Sequence, residues 1–181
     1  MSRYATLVVL ACVLLALAGT AQAQFAATGT TTMSVSVGAE ASLRIDTATT
    51  TLTTSGALFN NDFIGTTYLT YKVRTTKVGG SGNIQLKVTT DFSPAGGPSV
   101  GTPPTVGDTL AYTCTISGVG TACTGSQTSS TSDYTSVATF GADNKSTKAG
   151  DSGSVAWDLS NDPLYSTGNY TGTVTFAISA T

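Results

Sequence analysis

The chain has 181 residues, enough for one domain with an extension, and only 10% of them are charged. Eight basic residues stand against ten acidic ones, and there is no histidine. The absence of a basic patch argues against a nucleic-acid partner, and the missing histidine removes the commonest general base, so an enzyme is not expected.

The first 23 residues have the form of an export signal. Arg3 supplies positive charge, Ala5 to Leu17 is apolar, and Ala21-Gln22-Ala23 is a small-x-small cleavage site. The apolar run is too short for a membrane span. Val9-Leu10-Ala11-Cys12 loosely resembles a lipoprotein site, but the run continues past Cys12. Cleavage is expected between Ala23 and Gln24, leaving residues 24–181 with no later span and an extracytoplasmic, cell-surface destination.

A polar lead from Gln24 to Thr32 precedes a long alternation. Met33, Val35, Val37, Ala39, Ala41, Leu43 and Ile45 share odd parity, with Ser34, Ser36, Gly38, Glu40, Ser42 and Arg44 between them. Such a run exceeds an ordinary strand and is expected to break near Gly38 into two consecutive strands. Residues 24–38 form an extension and 39–181 a folded domain.

Leu69, Tyr71 and Val73 alternate with Thr70, Lys72 and Arg74. Gly79-Gly80-Ser81-Gly82 turns the chain, and Ile84, Leu86 and Val88 alternate with Gln85, Lys87 and Thr89. This predicts a β-hairpin with one wet face. Four of the five prolines lie between Ser93 and Asp108, a predicted loop. Leu110, Tyr112, Cys114 and Ile116 begin another strand. A two-residue turn at Gly118-Val119 would set Ile116 opposite Thr121 and Cys114 opposite Cys123. Export makes a disulfide between these two cysteines the expectation, worth roughly 2–3 kcal/mol. A metal site lacks further ligands.

Ser126 to Asp133 is polar and expected at the surface. Val137 and Phe140 mark a short strand, as do Val155, Trp157 and Leu159. Trp157 shares the parity of its apolar neighbours, which favours core packing over a sugar-stacking platform. Tyr170, Val174, Phe176, Ile178 and Ala180 mark the last strand. Asp62, Asp143, Asp151 and Asp162 have turn contexts and are expected to cap their own backbone. Asp143, Asp151, Asp158 and Asp162 lack the dense Asp/Asn spacing of a calcium loop. The triplets Asn144-Lys145-Ser146 and Asn169-Tyr170-Thr171 are the kind that chance supplies in a Thr/Ser-rich chain. Seven to nine short strands with turns between them predict an all-β fold, an antiparallel Greek-key sandwich of the immunoglobulin-like kind, with no catalytic residues, metal or cofactor.

Three stretches resemble the major subunits of alpha-type, colonisation-factor fimbriae, and more distantly the spore-coat-U-like secreted domains. Thr31-Thr32-Met33-Ser34-Val35-Ser36-Val37, followed by Leu43-Arg44-Ile45, resembles their donor strand and first body strand. Leu69-Thr70-Tyr71-Lys72-Val73-Arg74-Thr75, leading to Ile84-Gln85-Leu86-Lys87-Val88, resembles their central hairpin. Gly168-Asn169-Tyr170-Thr171-Gly172-Thr173-Val174-Thr175-Phe176 resembles their closing strand. The cysteine pair and the proline-rich loop have no counterpart. The resemblance implies a filament subunit with Met33, Val35 and Val37 as donor knobs and Val174, Phe176 and Ile178 lining an acceptor groove. It implies copies of itself as partners, with a periplasmic chaperone and an outer-membrane assembly protein. A monomeric secreted module that binds carbohydrate or protein is the alternative.

Overall fold

The computed structural model describes residues 30–181 except 55, 57 and 58. The expected signal segment and its cleavage site lie outside the described residues, as do residues 24–29 of the extension. The described chain is all β: β1 (Glu40–Ile45), β2 (Phe63–Arg74), β3 (Gly82–Ser93), β4 (Leu110–Ser117), β5 (Thr121–Ala122), β6 (Gln127–Thr128), β7 (Thr135–Phe140), β8 (Asp151–Leu159) and β9 (Thr171–Ala180). The strands form two antiparallel sheets, ordered β1-β2-β8-β4-β6 and β5-β7-β3-β9. Two sheets each apolar on one face bury those faces against one another, which makes a sandwich.

The core follows the period of two. Leu69, Tyr71 and Val73 of β2, Val155, Trp157 and Leu159 of β8, and Leu110 and Tyr112 of β4 point inward from the five-stranded sheet. Ile84, Leu86 and Val88 of β3, with Val137 and Phe140 of β7, meet them from the other sheet. Buried polar atoms are satisfied. The Tyr71 hydroxyl donates to Val119 O at 2.5 Å, and the Tyr112 hydroxyl bonds Thr135 and Ser136, each at 2.8 Å. Trp157 Nε1 donates to Thr67 Oγ1 at 2.8 Å, and Thr67 bonds Thr50. Trp157 therefore sits in the core, its ring 5.6 Å from that of Tyr112. Burial, then the nearby Asp151 carboxylate, pushes the Tyr71 hydroxyl up to about 12.

Several local expectations are corrected. β2 and β3 are not a hairpin: β2 pairs with β1 and β8, whereas β3 pairs with β7 and β9. Their connection makes its backbone bonds elsewhere, from Thr75 N–H to Asn144 O and from Thr76 N–H to Thr181 O, both at 3.0 Å. Crossing between sheets lets two amphipathic strands bury their apolar faces against each other, where a hairpin would put both on one side. β4 and β5 likewise belong to different sheets. Cys114 lies opposite Val155, not Cys123, and the Cys123 N–H bonds Val137 O at 2.9 Å. The disulfide is present, with Cα atoms 5.5 Å apart, and it ties the two sheets together. Gly118 and Gly120, at φ of 110° and 109°, make the corner that carries the chain across.

Residues 30–39 belong to no strand, so the long odd-parity run contains one strand, β1, instead of two. Ser129 is buried, against the exposure expected for residues 126–133; its hydroxyl donates to Leu110 O at 2.7 Å. Asp151 is also more than a turn residue. It opens β8, is 6% exposed, and accepts the N–H groups of Val119 at 2.9 Å and Thr147 at 3.1 Å. Burial alone would raise its carboxyl; those backbone donors outweigh burial and hold it below the usual range.

Because the folded-state value of Asp151 is depressed, its contribution is complete above the unfolded value of about 3.9 and fades as pH falls through the folded one. Asp151→Ala is expected to cost about 2 kcal/mol at pH 7 by leaving two amides unpaired. Urea unfolding across pH should show the gap from wild type shrinking below about pH 4. A gap independent of pH would mean the carboxylate's charge is irrelevant. Replacing both Cys114 and Cys123 by Ala should lower stability by about 2 kcal/mol in the same assay while leaving the far-ultraviolet spectrum unchanged.

Candidate interaction edge

A sandwich has four edges, and the four here are unequal. On one side the sheets end in β5 and β6, two residues each. Strands that short are blunted edges that offer little backbone to a newcomer. On the other side they end in β1 and β9, which lie across from one another. β1 is six residues long and carries Glu40 and Arg44 on its outward face. Arg44 bonds Asp46 at 2.6 Å, and Arg74 reaches Glu40 at 3.0 Å. The Thr70 hydroxyl, and then Arg44, hold the Asp46 carboxyl below its ordinary value. Charges of this kind discourage pairing along an edge.

β9 has none of these defences. It runs ten residues, Thr171–Ala180, without a charge or a proline. Its only ladder is to β3, with irregularities near Val88, Thr90 and Ser93, so its second edge is unpaired among the described residues. Thr173 and Thr175 face outward, and Thr175 shares a hydroxyl contact of 3.0 Å with Thr89.

The inward side chains of these two strands are incompletely covered. Val174, Phe176, Ile178 and Ala180 of β9, and Ala41, Leu43 and Ile45 of β1, pack against the core yet keep intermediate exposure. In β2 and β3 the corresponding positions are 0–4% exposed. The difference is geometric: an inner strand has a neighbour on each side, and an edge strand has one. The result is a partly exposed apolar strip, or shallow slot, where β1 meets β9, with unpaired β9 backbone along one lip.

The three expected groove residues, Val174, Phe176 and Ile178, are among the partly exposed inward side chains of β9. Leu43 and Ile45 are among those of β1, and sequence reasoning assigned them only to a body strand. Their shared parity with the Met33–Val37 run was the available signal; their place opposite β9 comes from the topology. The three expected knobs are at the surface: Met33 is 92% exposed, Val35 86% and Val37 63%. They alternate with Ser34 and Ser36 in a segment without secondary structure.

Asp143, Asp151, Asp158 and Asp162, which lack calcium-loop spacing in the sequence, do not converge in the fold either. Asp143 and Asp151 lie at the β2–β3 corner end, and Asp158 and Asp162 at the opposite end of the strands. Burial, and then the neighbouring Asp62, raise the Asp158 carboxyl. No group of three or more potential ligands forms a metal cage among the described residues. No family model, curated protein or solved structure matches this chain.

Incomplete burial of the slot has a measurable consequence. Leu86→Ala, in the closed core, should destabilise the unassembled protein by about 3 kcal/mol. Phe176→Ala, although it removes a larger side chain, should cost less than Leu86→Ala, because part of the ring's area is already in water. Chemical denaturation of the two variants at low protein concentration tests this ordering; a larger loss for Phe176 would mean the slot is closed in the single chain.

Proposed function

We propose that this protein is a structural subunit of a cell-surface fimbria or extracellular filament, exported through the periplasm and polymerised by donated β-strands. The observation that carries the reading is the pairing of deficits in one chain. β9 has a long, uncharged edge beside half-buried Val174, Phe176 and Ile178, and residues 31–38 hold exposed apolar residues at strand spacing. Each lacks what the other supplies. An extended segment added to a sheet edge gains main-chain hydrogen bonds, and its alternate side chains fill the pockets beneath.

A donor within the same chain is disfavoured by parity. A two-residue turn at Gly38-Ala39 would lay the segment along β1 with Val37 opposite Glu40, Val35 opposite Ser42 and Met33 opposite Arg44. Directly opposed residues share a face, and these three β1 residues are exposed. The knobs would then point into water. A second copy of the chain has no such restriction. On this reading the sandwich is immunoglobulin-like with Greek-key connections, the partners are further copies, and a periplasmic chaperone with an outer-membrane assembly protein would guard the slot until it is filled. The work of the protein is mechanical and adhesive, and it needs no cofactor.

Burying each knob is worth roughly 1.5–3 kcal/mol, and a carboxylate in the slot would cost several more. Val35→Asp should therefore melt like the wild-type single chain but form no oligomers in size-exclusion chromatography, where wild type gives a ladder. A wild-type protein that stays monomeric, together with a Val35→Asp chain that unfolds, would show that the strand belongs to its own chain. In that outcome the protein is a monomeric secreted binding module.

A further inference from the structure

Most charges on this sandwich are sorted along its strands, with Arg44, Asp46, Lys87 and Asp133 near the middle. At the end where β2 passes to β3 lie Lys72, Arg74, Lys77, Lys145 and Lys148, against Glu40, Asp143 and the buried Asp151. Lys145 is close enough to Asp143 to pair with it. At the opposite end, where β2 and β4 begin and β3 and β8 finish, lie Asp62, Asp91, Asp108, Asp158 and Asp162. The loops and strand ends that carry these five hold no Lys or Arg; Lys87, midway along β3, donates to Ser132 O at 2.7 Å.

Neutral donors satisfy some of these carboxylates without cancelling their charge. Asp91 is satisfied internally: it accepts from the N–H groups of Phe92 and Val100, each at 2.8 Å, from Gly101 N–H at 2.9 Å, and from the Ser99 hydroxyl. Asp162 bonds Thr105 and the Leu164 N–H. Asp62 and Asp158 are exposed, and Asp158 is crowded by Asp62. Large apolar side chains are also exposed here, on Phe59, Ile64, Val106 and Leu164, and Val78 is exposed at the basic end. Like charge gathered beside uncovered apolar surface fits a protein partner carrying the opposite charge.

The extension leaves from the basic end. Arg74 Nε donates to Gly38 O at 2.7 Å, and Glu40, the first residue of β1, pairs with Arg74. β9 starts at the acidic end, since Thr171 pairs with Ser93, and finishes at the basic end, since Ala180 pairs with Gly82. We infer that the basic end of one copy seats on the acidic end of the next, a head-to-tail contact between unlike surfaces that gives the filament its polarity.

The inference rests on the strand-donation reading and adds a second contact to it. Different surfaces meeting head to tail generate an open chain, as a filament requires. The contact also fixes the donor's direction. Gly38 would arrive at the end where β9 begins, so the segment would run antiparallel to β9. Val37 would then face Val174, Val35 would face Phe176 and Met33 would face Ile178. The spacing agrees, since both sets of three residues cover the same length of extended chain.

The test uses full-length chains and two charge reversals at exposed positions. One variant is Lys77→Glu/Lys145→Glu/Lys148→Glu and the other is Asp62→Lys/Asp158→Lys. Each should keep the wild-type circular dichroism and melt. Each alone should polymerise at least about tenfold more slowly than wild type by light scattering at about 0.1 M salt. An equimolar mixture should recover, because each copy then meets its complement at both ends. Wild-type assembly should slow as salt rises to about 1 M, where the screening length falls from about 10 to about 3 Å. In parallel, a synthetic peptide of residues 30–38 is added to full-length Val35→Asp and its melt is followed. With its termini capped the peptide carries no charge, so it reports on the slot alone. Peptide stabilisation with unchanged assembly of the reversed variants, or with no recovery in the mixture, overturns the end-to-end contact and leaves strand donation standing. No stabilisation by the peptide at any concentration overturns donation, and this inference with it.

Discussion

β3 is the strand on which the second sheet depends. It pairs with β7 on one side and β9 on the other, and it supplies Ile84, Leu86 and Val88 to the centre of the core. Among the described residues β9 joins its sheet by that ladder alone. Its inward side chains reach the core but are not roofed, and its outer backbone row has no partner in its own chain among the described residues. A peptide group in water is solvated and costs nothing; the instability lies in the combination with Val174, Phe176 and Ile178 below it. Covering them requires something that lies in the plane of the sheet, and a β-strand is the object of that shape.

The remaining architecture is arranged so that this edge is the exception. β5 and β6 blunt the far side, and β1 is short and charged. The disulfide between Cys114 and Cys123 closes the two sheets together on the side away from the slot. Asp151 ties the Gly118–Gly120 corner to the loop before β8. Tyr71 reaches Val119 in the same corner. These links hold the sandwich shut where no partner is expected and leave its other side to the packing of β1 against β9.

What was legible in the sequence was periodicity of two, and it identified the strands and their inward faces well. Leu69, Tyr71, Val73, Ile84, Leu86, Val155 and Trp157 are all buried where alternation put them. Partner choice was not legible. Whether Val73 and Ile84 belong to one sheet or two depends on where a connection makes its hydrogen bonds, and for Thr75 and Thr76 those partners are Asn144 and Thr181, far away in sequence. The same limit applied to Cys114 and Cys123. Their bond follows from being close in space, and a flat hairpin and a sheet-to-sheet corner both bring them close. Ser129 was misread because a polar run resembles a surface loop until the Leu110 carbonyl that it satisfies is known. For the slot, the parity of Val174, Phe176 and Ile178 was visible, but that they lie on an edge strand, opposite Leu43 and Ile45, is a property of the topology.

Hydrogen exchange read by mass spectrometry, on the unassembled and the assembled protein side by side, bears most directly on strand donation. The account predicts that amides of residues 33–37 exchange at the rate of open chain in the single molecule. Those amides and the amides of residues 174–178 should then become protected together on assembly, while β2 and β8 stay protected throughout. Protection of residues 33–37 in the single molecule, or an assembled state in which they and β9 remain as open as before, would contradict it.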